Sequence, residues 1–214
     1  MMILLDTFIR LLSEGGEAAV FNPWRDRDEL NDSTLNGPLD RLNRLRSHLS
    51  SRVERILVGE AAGYQGCHVS GIPFTSERVI IAGEVPRVSC GGKRLSVRVR
   101  PWSEPSATIV WNALHRLGIA ETTILWNAYP WHPFKPGKPH SNRTPSRSER
   151  AAGIPVLEAL LKSFPTADLF AVGRHAQHAL QELSLTAVAL RHPSMGGAAL
   201  FQRGLSAALR TRKR

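Results

Sequence analysis

The fold of this chain is decided by residues 56–74, which read ILVGEAAGYQGCHVSGIPF. The apolar run 56–58 that opens the stretch predicts a short strand buried on both faces. Four glycines follow within thirteen positions, and glycine permits positive φ and the close approach of a ligand to the backbone. Pro73 is suitably placed for the first turn of a helix. A strand, a glycine-rich loop and a helix start are typical of a ligand site in an open α/β sheet, although a long connecting turn has the same pattern.

Further apolar runs alternate with helical patterns along the rest of the chain. Strands are predicted over residues 122–126, 167–172 and 186–190. Helices are predicted over about 73–82, 107–117, 147–164, 174–182 and 198–209, and residues 1–50 predict a helical layer before the sheet. Strands that alternate with helices predict a doubly wound parallel sheet with right-handed crossovers. The expected fold class is therefore α/β.

The charge of the chain favours a polyanionic partner. Its 214 residues carry a formal net charge of +10, with a pI of about 10.7. Nucleic acid is the first candidate, and a basic enzyme with no such partner is the alternative. Residues 85–102 alternate apolar and basic side chains, which predicts a half-exposed strand or an extended loop. The proline-dense residues 130–145 predict a stiff, positively charged loop, suited to a nucleic-acid backbone or merely rigid.

The two cysteines and the N-terminal residues indicate in which cellular compartment the protein is expected. Cys67 and Cys90 form no CxxC pair and cannot by themselves supply four thiolate ligands. Without a disulfide framework, a reducing cytoplasm is expected. Residues 1–12 are apolar but interrupted by Asp6 and Arg10, which predicts a helix rather than a signal peptide. No apolar run approaches the length of a membrane span, so no membrane partner is expected.

Polar loops follow the first, second and fourth predicted strands. In a parallel sheet these loops share the carboxyl edge, where ligands bind. The side chains that they bring to this edge are Glu60, Tyr64, His68, Phe74, Asn127, His132 and His192. The chain has no G-x-S-x-G nucleophile elbow, no phosphate loop of the GxxxxGK type and no GxGxxG fingerprint. These absences argue against a serine hydrolase, a nucleoside triphosphatase and a dinucleotide enzyme.

The residues at this edge resemble those of the uracil-DNA glycosylase superfamily. Residues 59–63 (GEAAG), followed by 71–74 (GIPF), resemble its first motif. Asn127 resembles its uracil-reading asparagine, and residues 192–194 (HPS) resemble its second motif. The three stand in the family's order over about residues 56–205. The resemblance implies a three-layer α/β/α sandwich around a central four-stranded parallel sheet.

The resemblance also implies an activity. A DNA repair enzyme of base excision repair would flip uracil out of DNA and hydrolyse its N-glycosidic bond, releasing free uracil and leaving an abasic site. No metal or cofactor is implied, and the partner would be uracil-containing DNA. We expect one such domain over residues 1–214, with a helical N-terminal layer at 1–50 and a frayed basic tail at 210–214. We further expect a monomer located in the cytoplasm.

The resemblance assigns roles to individual residues. Its implied catalytic residues are His192, which would stabilise charge on uracil O2, and Glu60, which would activate water. Implied substrate-binding residues are Gly59, Ala61, Gly63, Tyr64, Phe74 and Asn127. Implied DNA-binding residues are Ser194, Met195, Lys135 and Arg143. Within these sets Phe74 would stack on the base, Asn127 would read it and Met195 would wedge into the vacated stack.

The sequence departs from the family pattern at three places. Ala61 stands where well-known branches have a water-positioning Asp or Asn, and Ala62 stands where Gly-Glu-Ala branches usually have proline. Those branches often carry an iron–sulfur cluster held by four cysteines, and this chain has two. Glu60 can therefore activate water or merely brace its loop by accepting backbone hydrogen bonds. Tyr64 can exclude the methyl group of thymine or simply pack the loop.

Two spare histidines and two alternative functions stay open. His68 and His132 are candidates for holding water, with a structural role as the alternative. The leading hypothesis is a monofunctional uracil-DNA glycosylase. The others are a catalytically weak member that binds DNA or damaged bases, and an α/β protein that binds nucleotides or sugars and has no link to DNA.

Overall fold

The centre of the molecule is a sheet of parallel strands covered by helices. The computed structural model describes residues 2–50 and 52–211. Its strands in chain order are Val20–Phe21 (β1), Arg55–Ala61 (β2), Thr123–Tyr129 (β3), His132–Pro133 (β4), Asp168–Val172 (β5) and Val188–Leu190 (β6). Its α-helices are Met2–Glu14 (α1), Pro38–Leu49 (α2), Cys67–Ser70 (α3), Glu77–Ile81 (α4), Pro105–Arg116 (α5), Arg147–Ser163 (α6), Arg174–Glu182 (α7) and Ala198–Thr211 (α8), and Ala120–Thr122 forms a 3-10 turn.

The main sheet has four strands in the order β3-β2-β5-β6. All three neighbouring pairs are parallel, which confirms the predicted α/β architecture. The first crossover connects β2 to β3, which lies on one side of β2 in the sheet. The next crossover connects β3 to β5, which lies on the other side of β2. The carboxyl ends beside β2 are therefore the topological switch point, where open α/β sheets bind ligands. A small antiparallel pair, β1 with β4, lies outside this sheet and was not predicted.

Side-chain alternation along β2 produces the two outer layers. Ile56 and Val58 are fully buried in the apolar cluster formed with α1, α6 and α7. Leu57 is fully buried in a second cluster formed with α5 and α8. Because successive side chains of a strand point to opposite faces, one short apolar run supplies both cores. The result is the three-layer α/β/α sandwich that the sequence predicts.

Helix α2 protects the edge of the sheet at β3. The backbone N–H of Leu125 donates to His48 Nε2 at 2.9 Å, a bond that a fifth strand would otherwise provide. Burial, with a smaller contribution from nearby Arg87, lowers the pKa of His48 to about 3, so the ring is a neutral acceptor. The N-terminal layer, to which α2 belongs, thus closes an edge that would otherwise attract another strand.

Both central strands are longer than predicted. β2 continues through Ala61, and Gly59 and Ala61 pair with Asn127 and Tyr129 of β3. The predicted boundary at Val58 is wrong because the glycine does not break the strand. The first half of the glycine-rich motif is therefore strand rather than loop, and its side chains alternate between the two faces of the sheet.

The segment after β2 also differs from its prediction. No helix begins at Pro73; the short α3 forms within the glycine-rich stretch, and α4 starts only at Glu77. Gly71 and Phe74 both have positive φ, 76° and 50°, which prevents a continuous helix through this stretch. Residues 85–102 form a loop with a single bridge, Asp32 to Ser96, rather than a strand.

A buried carboxylate explains why that loop forms no strand. Glu77 accepts the backbone N–H groups of Leu95, Ser96 and Trp102 at 2.9, 3.0 and 2.9 Å. Backbone donors that a neighbouring strand would have satisfied are thus satisfied by one side chain. The loop is folded around Glu77. Burial alone would raise the pKa of Glu77, but hydrogen bonds from the Arg94 and Ser96 side chains, together with the backbone bonds, lower it.

The remaining elements agree with the sequence to within a few residues. α6 begins after Ser146, whose hydroxyl accepts the Glu149 N–H while the Glu149 carboxylate accepts the Ser146 N–H. α8 runs through Thr211, and the rest of the predicted tail, residues 212–214, lies outside the described residues. No helix in the described part of the chain is long and apolar enough to cross a membrane.

Candidate active site

A cavity of about 500 Å³ opens at the carboxyl ends of β2 and β3. Its walls come from the segment after β2, the proline-rich loop, the start of α5 and the loop after β6. The predicted site residues that line it are Glu60, Ala61, Gly63, Phe74, Asn127, Arg143, His192 and Ser194. Side chains far apart in the sequence therefore meet in one concave space, as the shared sheet edge predicts.

The floor of the cavity is built by close packing on Gly59. A Cβ atom at this position would overlap the Phe74 ring and lie 2.7 Å from Asn127 Oδ1. Only glycine lets the ring and the amide approach the strand so closely. Phe74 itself is held at a φ of 50°, a backbone conformation that is costly for an aromatic residue and is often found at functional sites.

Asn127 presents an amide with no partner. The residue is 3% exposed, yet its side chain makes no hydrogen bond to any residue that the structure describes. Because the amide atoms open into the cavity, a ligand bound there can pair with them. An amide offers a donor and an acceptor side by side, which suits the edge of a flat base.

His192 presents a single free donor. Its Nδ1 accepts the backbone N–H of Ser194 at 3.1 Å and the Ser194 hydroxyl at 2.7 Å. A backbone N–H can only donate, so the neutral ring carries its proton on Nε2, which bonds to no described residue. Burial, and secondarily the charge of Arg191, lower the pKa of His192 below its ordinary value. The ring is thus neutral at physiological pH, with Nε2–H available.

These contacts also revise the role of Ser194. Because its hydroxyl donates to His192, the same proton cannot at once bind a phosphate. The structure uses Ser194 to fix the tautomer and orientation of the histidine. The DNA-binding role that the resemblance implies for Ser194 stays a prediction.

Glu60 lies on the other face of β2 from Phe74 and Asn127. Its side chain points to the same face of the strand as Ile56 and Val58. Its Oε1 atom is 3.6 Å from Nε2 of His175 on α7. That oxygen is buried without a hydrogen bond to any described residue. The carboxylate stands between this cavity and a second one of about 710 Å³ beside α7. No backbone N–H of the described loop binds it, so the bracing role has no support.

Met195 extends from the rim of the second cavity. It is 95% exposed, with a φ of 51°, directly after the residue that orients His192. The positive φ is uncommon for a residue other than glycine, and the exposed side chain leaves the rim beside His192. This position fits the wedge that the resemblance implies.

Tyr64 lies outside the lining of the cavity. Its ring packs edge-on against Trp102, with centroids 5.6 Å apart, and its backbone N–H donates to Asn142 Oδ1 at 3.1 Å. The packing role is therefore the one that the geometry supports. Exclusion of the thymine methyl group is not retained for this residue.

The two basic residues of the proline-rich loop differ from each other. The Arg143 guanidinium makes two bonds to Glu149, of 2.6 and 2.7 Å, and a third to the carbonyl of Phe134. Arg143 is therefore a brace between the loop and α6, and its predicted phosphate contact is not retained. Lys135 is exposed, with no ion pair to a described residue, and stays free to bind an anion.

His68 and His132 lie together away from the cavity. Their Nδ1 atoms are 2.9 Å apart, His68 Nε2 is 3.3 Å from Asp28, and His132 Nε2 donates to the carbonyl of Ser141. The network ties the glycine-rich stretch to the proline-rich loop and the N-terminal layer. The structural alternative therefore fits both histidines, and neither lines the cavity.

The sequence analysis missed several lining residues, of which Asn142 and Glu104 matter most for the chemistry of the cavity. Asn142 lies over Gly63, and Glu104 turns a carboxylate into the wall beside Gly66. Neither stands in a motif, and the fold of two loops brings them to the site. Among residues 2–50 and 52–211, no group of three or more His, Cys, Asp or Glu side chains could hold a metal ion.

The fold of this chain is similar to that of a solved structure. Over 98% of both chains, the structure is similar to the crystal structure of Pedobacter heparinus SMUG2, with a TM-score of 0.66 and 13% sequence identity. At that identity the likeness shows the fold alone. No curated protein matches the sequence.

The sequence itself fixes the family. The family model of the Uracil DNA glycosylase superfamily matches residues 47–204, which contain β2, β3, β5 and β6. The chain belongs to this superfamily. Membership supports a DNA glycosylase, an enzyme that binds DNA in repair and hydrolyses the bond between base and sugar.

A substitution at Gly59 tests the floor of the cavity. Changing Gly59 to Ala should lower the free energy of unfolding by about 1–3 kcal/mol, the usual cost of overpacking, because the new methyl group displaces Phe74 or Asn127. Thermal unfolding measures the loss. Gly63→Ala is the matched control, since its methyl group would meet only Asn142 atoms, at 3.6 Å or more. Equal stability of the two variants would contradict the packing described here.

Proposed function

We propose that this glycosylase removes uracil from DNA, leaving an abasic site. The observation that carries the proposal is the unpaired amide of Asn127 beside a strained aromatic ring and a neutral histidine donor. A target base inside a duplex cannot be reached, so it is flipped into the cavity. Phe74, whose ring centroid is 6.0 Å from that of His192, offers the stacking face.

Asn127 accounts for the choice of base. Uracil presents a carbonyl oxygen at C4 and an N–H at N3, which match the donor and the acceptor of one amide. Cytosine presents an amino group at C4 and an unprotonated N3, the reverse pattern. In a buried site this mismatch leaves polar groups unpaired, which is the source of large discrimination.

His192 accounts for the stabilisation of the leaving group. As the glycosidic bond breaks, negative charge develops on the base, including its O2. The fixed Nε2–H of a neutral imidazole is a preorganised donor for that charge. Ser194 holds the ring in place, so no reorganisation is needed during the reaction.

The surrounding surface supports a DNA strand. The net charge of +10, exposed Lys135 and the basic side chains of residues 93–100 favour phosphate contacts. Met195 would fill the space that the flipped base leaves, as apolar side chains do in other proteins that distort DNA. We also propose that the protein acts as a monomer in the cytoplasm, in keeping with two free cysteines.

A catalytically weak, DNA-binding member is the second candidate. Ala61 lines the cavity where other branches carry a polar side chain, and this favours slow hydrolysis. The two functions separate in an assay of free uracil released from a uracil-containing oligonucleotide, with single- and double-stranded substrates and a panel of damaged bases. Abasic product from uracil supports the proposal. Tight, salt-sensitive DNA binding without product, even at high enzyme concentration, favours the second candidate.

A further inference from the structure

The cavity has a second carboxylate, contributed by Glu104. This residue is the N-cap of α5, but its side chain makes no capping bond to the helix. The Glu104 carboxylate lies in the cavity wall, where a Cβ on Gly66 would overlap its Oε2 atom. The absence of a side chain at Gly66 therefore leaves the space that this carboxylate occupies.

Glu104 lies on the base-binding side of the sheet. The same Cβ position on Gly66 is 3.5 Å from the carbonyl oxygen of Thr75, the residue directly after Phe74. The Glu104 carboxylate is thus beside the segment that carries the stacking ring. The side chain of Glu60, in contrast, lies on the opposite face of the sheet, where it approaches His175. Of the two cavity carboxylates, Glu104 is the one on the same side as Phe74 and Asn127.

The carboxylate has one occupied and one free oxygen. The hydroxyl of Ser106 donates to Oε1, and Oε2 has no hydrogen-bond partner among the described residues. Burial raises the pKa of Glu104, and the Ser106 hydrogen bond opposes that rise only in part. A carboxylate whose pKa is raised is a stronger base than an ordinary one, and in a cleft it is a candidate general base.

We propose that Glu104 is a catalytic residue, the general base that accepts a proton from the attacking water at Oε2. The inference rests on the proposed glycosylase function and supplies the polar group that Ala61 lacks. The water oxygen forms a bond to C1′ of the deoxyribose while the bond from C1′ to N1 of the base breaks. The electron pair of the broken bond leaves with the base, where His192 Nε2–H stabilises it. The proton lost by water passes to Glu104.

The test is Glu104→Gln, which keeps the shape and removes the base. Single-turnover cleavage of uracil-containing DNA should slow by about 100-fold or more, the usual contribution of a general base. In the wild type the rate should fall as pH drops through the raised pKa of Glu104, because only the ionised form accepts a proton. In the variant this acid limb should disappear. The dissociation constant for DNA should stay equal or fall, since a negative charge near the phosphates is removed.

Controls separate a catalytic role from a structural one. Glu182→Gln removes an exposed carboxylate at the far end of α7 and should leave both rate and pH profile unchanged. Ser106→Ala removes the hydrogen bond that favours ionised Glu104, so the acid limb of the pH profile should move to higher pH. This second variant keeps the test valid if Glu104→Gln does not fold.

Each outcome is decisive. A Glu104→Gln variant that cleaves within about threefold of wild type, with the wild-type pH profile, overturns the proposal. An unmoved acid limb in Ser106→Ala does the same. If the cleavage rate fell strongly in Glu60→Gln and not in Glu104→Gln, the general base would be Glu60 rather than Glu104. Failure of the wild type to release any base would instead contradict the proposed function, which is a separate result.

Discussion

Changing Asn127 to Asp should transfer the preference of the enzyme from uracil toward cytosine. An aspartate oxygen that replaces the amide NH₂ can accept a hydrogen bond from the amino group of cytosine, whereas opposite uracil O4 the same oxygen sets two acceptors against each other. Sites that hydrogen-bond one substrate reject a mismatched analogue by about 10⁴-fold or more, so we expect the ratio of uracil to cytosine cleavage to fall by that order. Base release from matched oligonucleotides containing either base measures the ratio.

Asn142→Asp is the matched control for this prediction. Asn142 lines the same cavity, and its Oδ1 accepts the Tyr64 N–H, a bond that an aspartate oxygen can also accept. The control therefore introduces the same charge without touching the reading position. It should leave the base preference as it is. An unchanged ratio in Asn127→Asp, or an equal shift in both variants, would mean that Asn127 does not read the base.

The sequence predicted the parts of this site that lie at strand ends. Asn127 and His192 were placed at one edge because each is a polar residue that follows an apolar run in a parallel sheet, and their individual roles came from the resemblance to the superfamily. The four strands and most helices followed from the same periodicity. The pairing β3-β2-β5-β6 did not, because the order of strands depends on contacts between distant segments.

The parts that were missed depend on loop conformation. The face on which Glu60 lies depends on whether β2 ends at Val58 or at Ala61, and a glycine at the boundary gave the wrong answer. Glu104 was overlooked because no local sequence pattern indicates that its carboxylate contacts Gly66. Arg143 was taken for a phosphate ligand because its charge was visible in the sequence and its partner Glu149 was not yet known to be close.

The network of His68 and His132 illustrates the same limit. Each histidine was a reasonable candidate for holding water, since each stands in a loop at the correct edge. The structure commits both to hydrogen bonds with Asp28, Ser141 and each other, and burial lowers the pKa of His132 to about 3. Only the packing of the N-terminal layer against the proline-rich loop reveals this. Residue type and edge therefore predict candidates, and hydrogen-bond partners decide among them.

Changing His192 to Ala should reduce the single-turnover rate by about 100- to 1000-fold, the usual cost of removing one preorganised donor to a developing anion. DNA affinity should change little, because the imidazole is neutral and contributes no charge to phosphate binding. Single-turnover cleavage and equilibrium binding to the same uracil-containing duplex separate the two effects. His192→Gln should recover part of the rate, because the glutamine amide keeps an N–H donor although its position differs from that of Nε2–H.

The matched control is His178→Ala, since His178 is an exposed histidine of α7 that does not line either cavity at the site. It should cleave as the wild type does. Ser194→Ala tests the supporting contact: it removes the hydroxyl donor and keeps the backbone donor to Nδ1, so the tautomer is preserved and a smaller loss is expected. If His192→Ala turned over nearly as fast as wild type, the charge on the leaving base would have to be stabilised elsewhere. The backbone N–H groups of Ala61, Ala62 and Gly63 would then be the next donors to examine, because these residues line the same cavity.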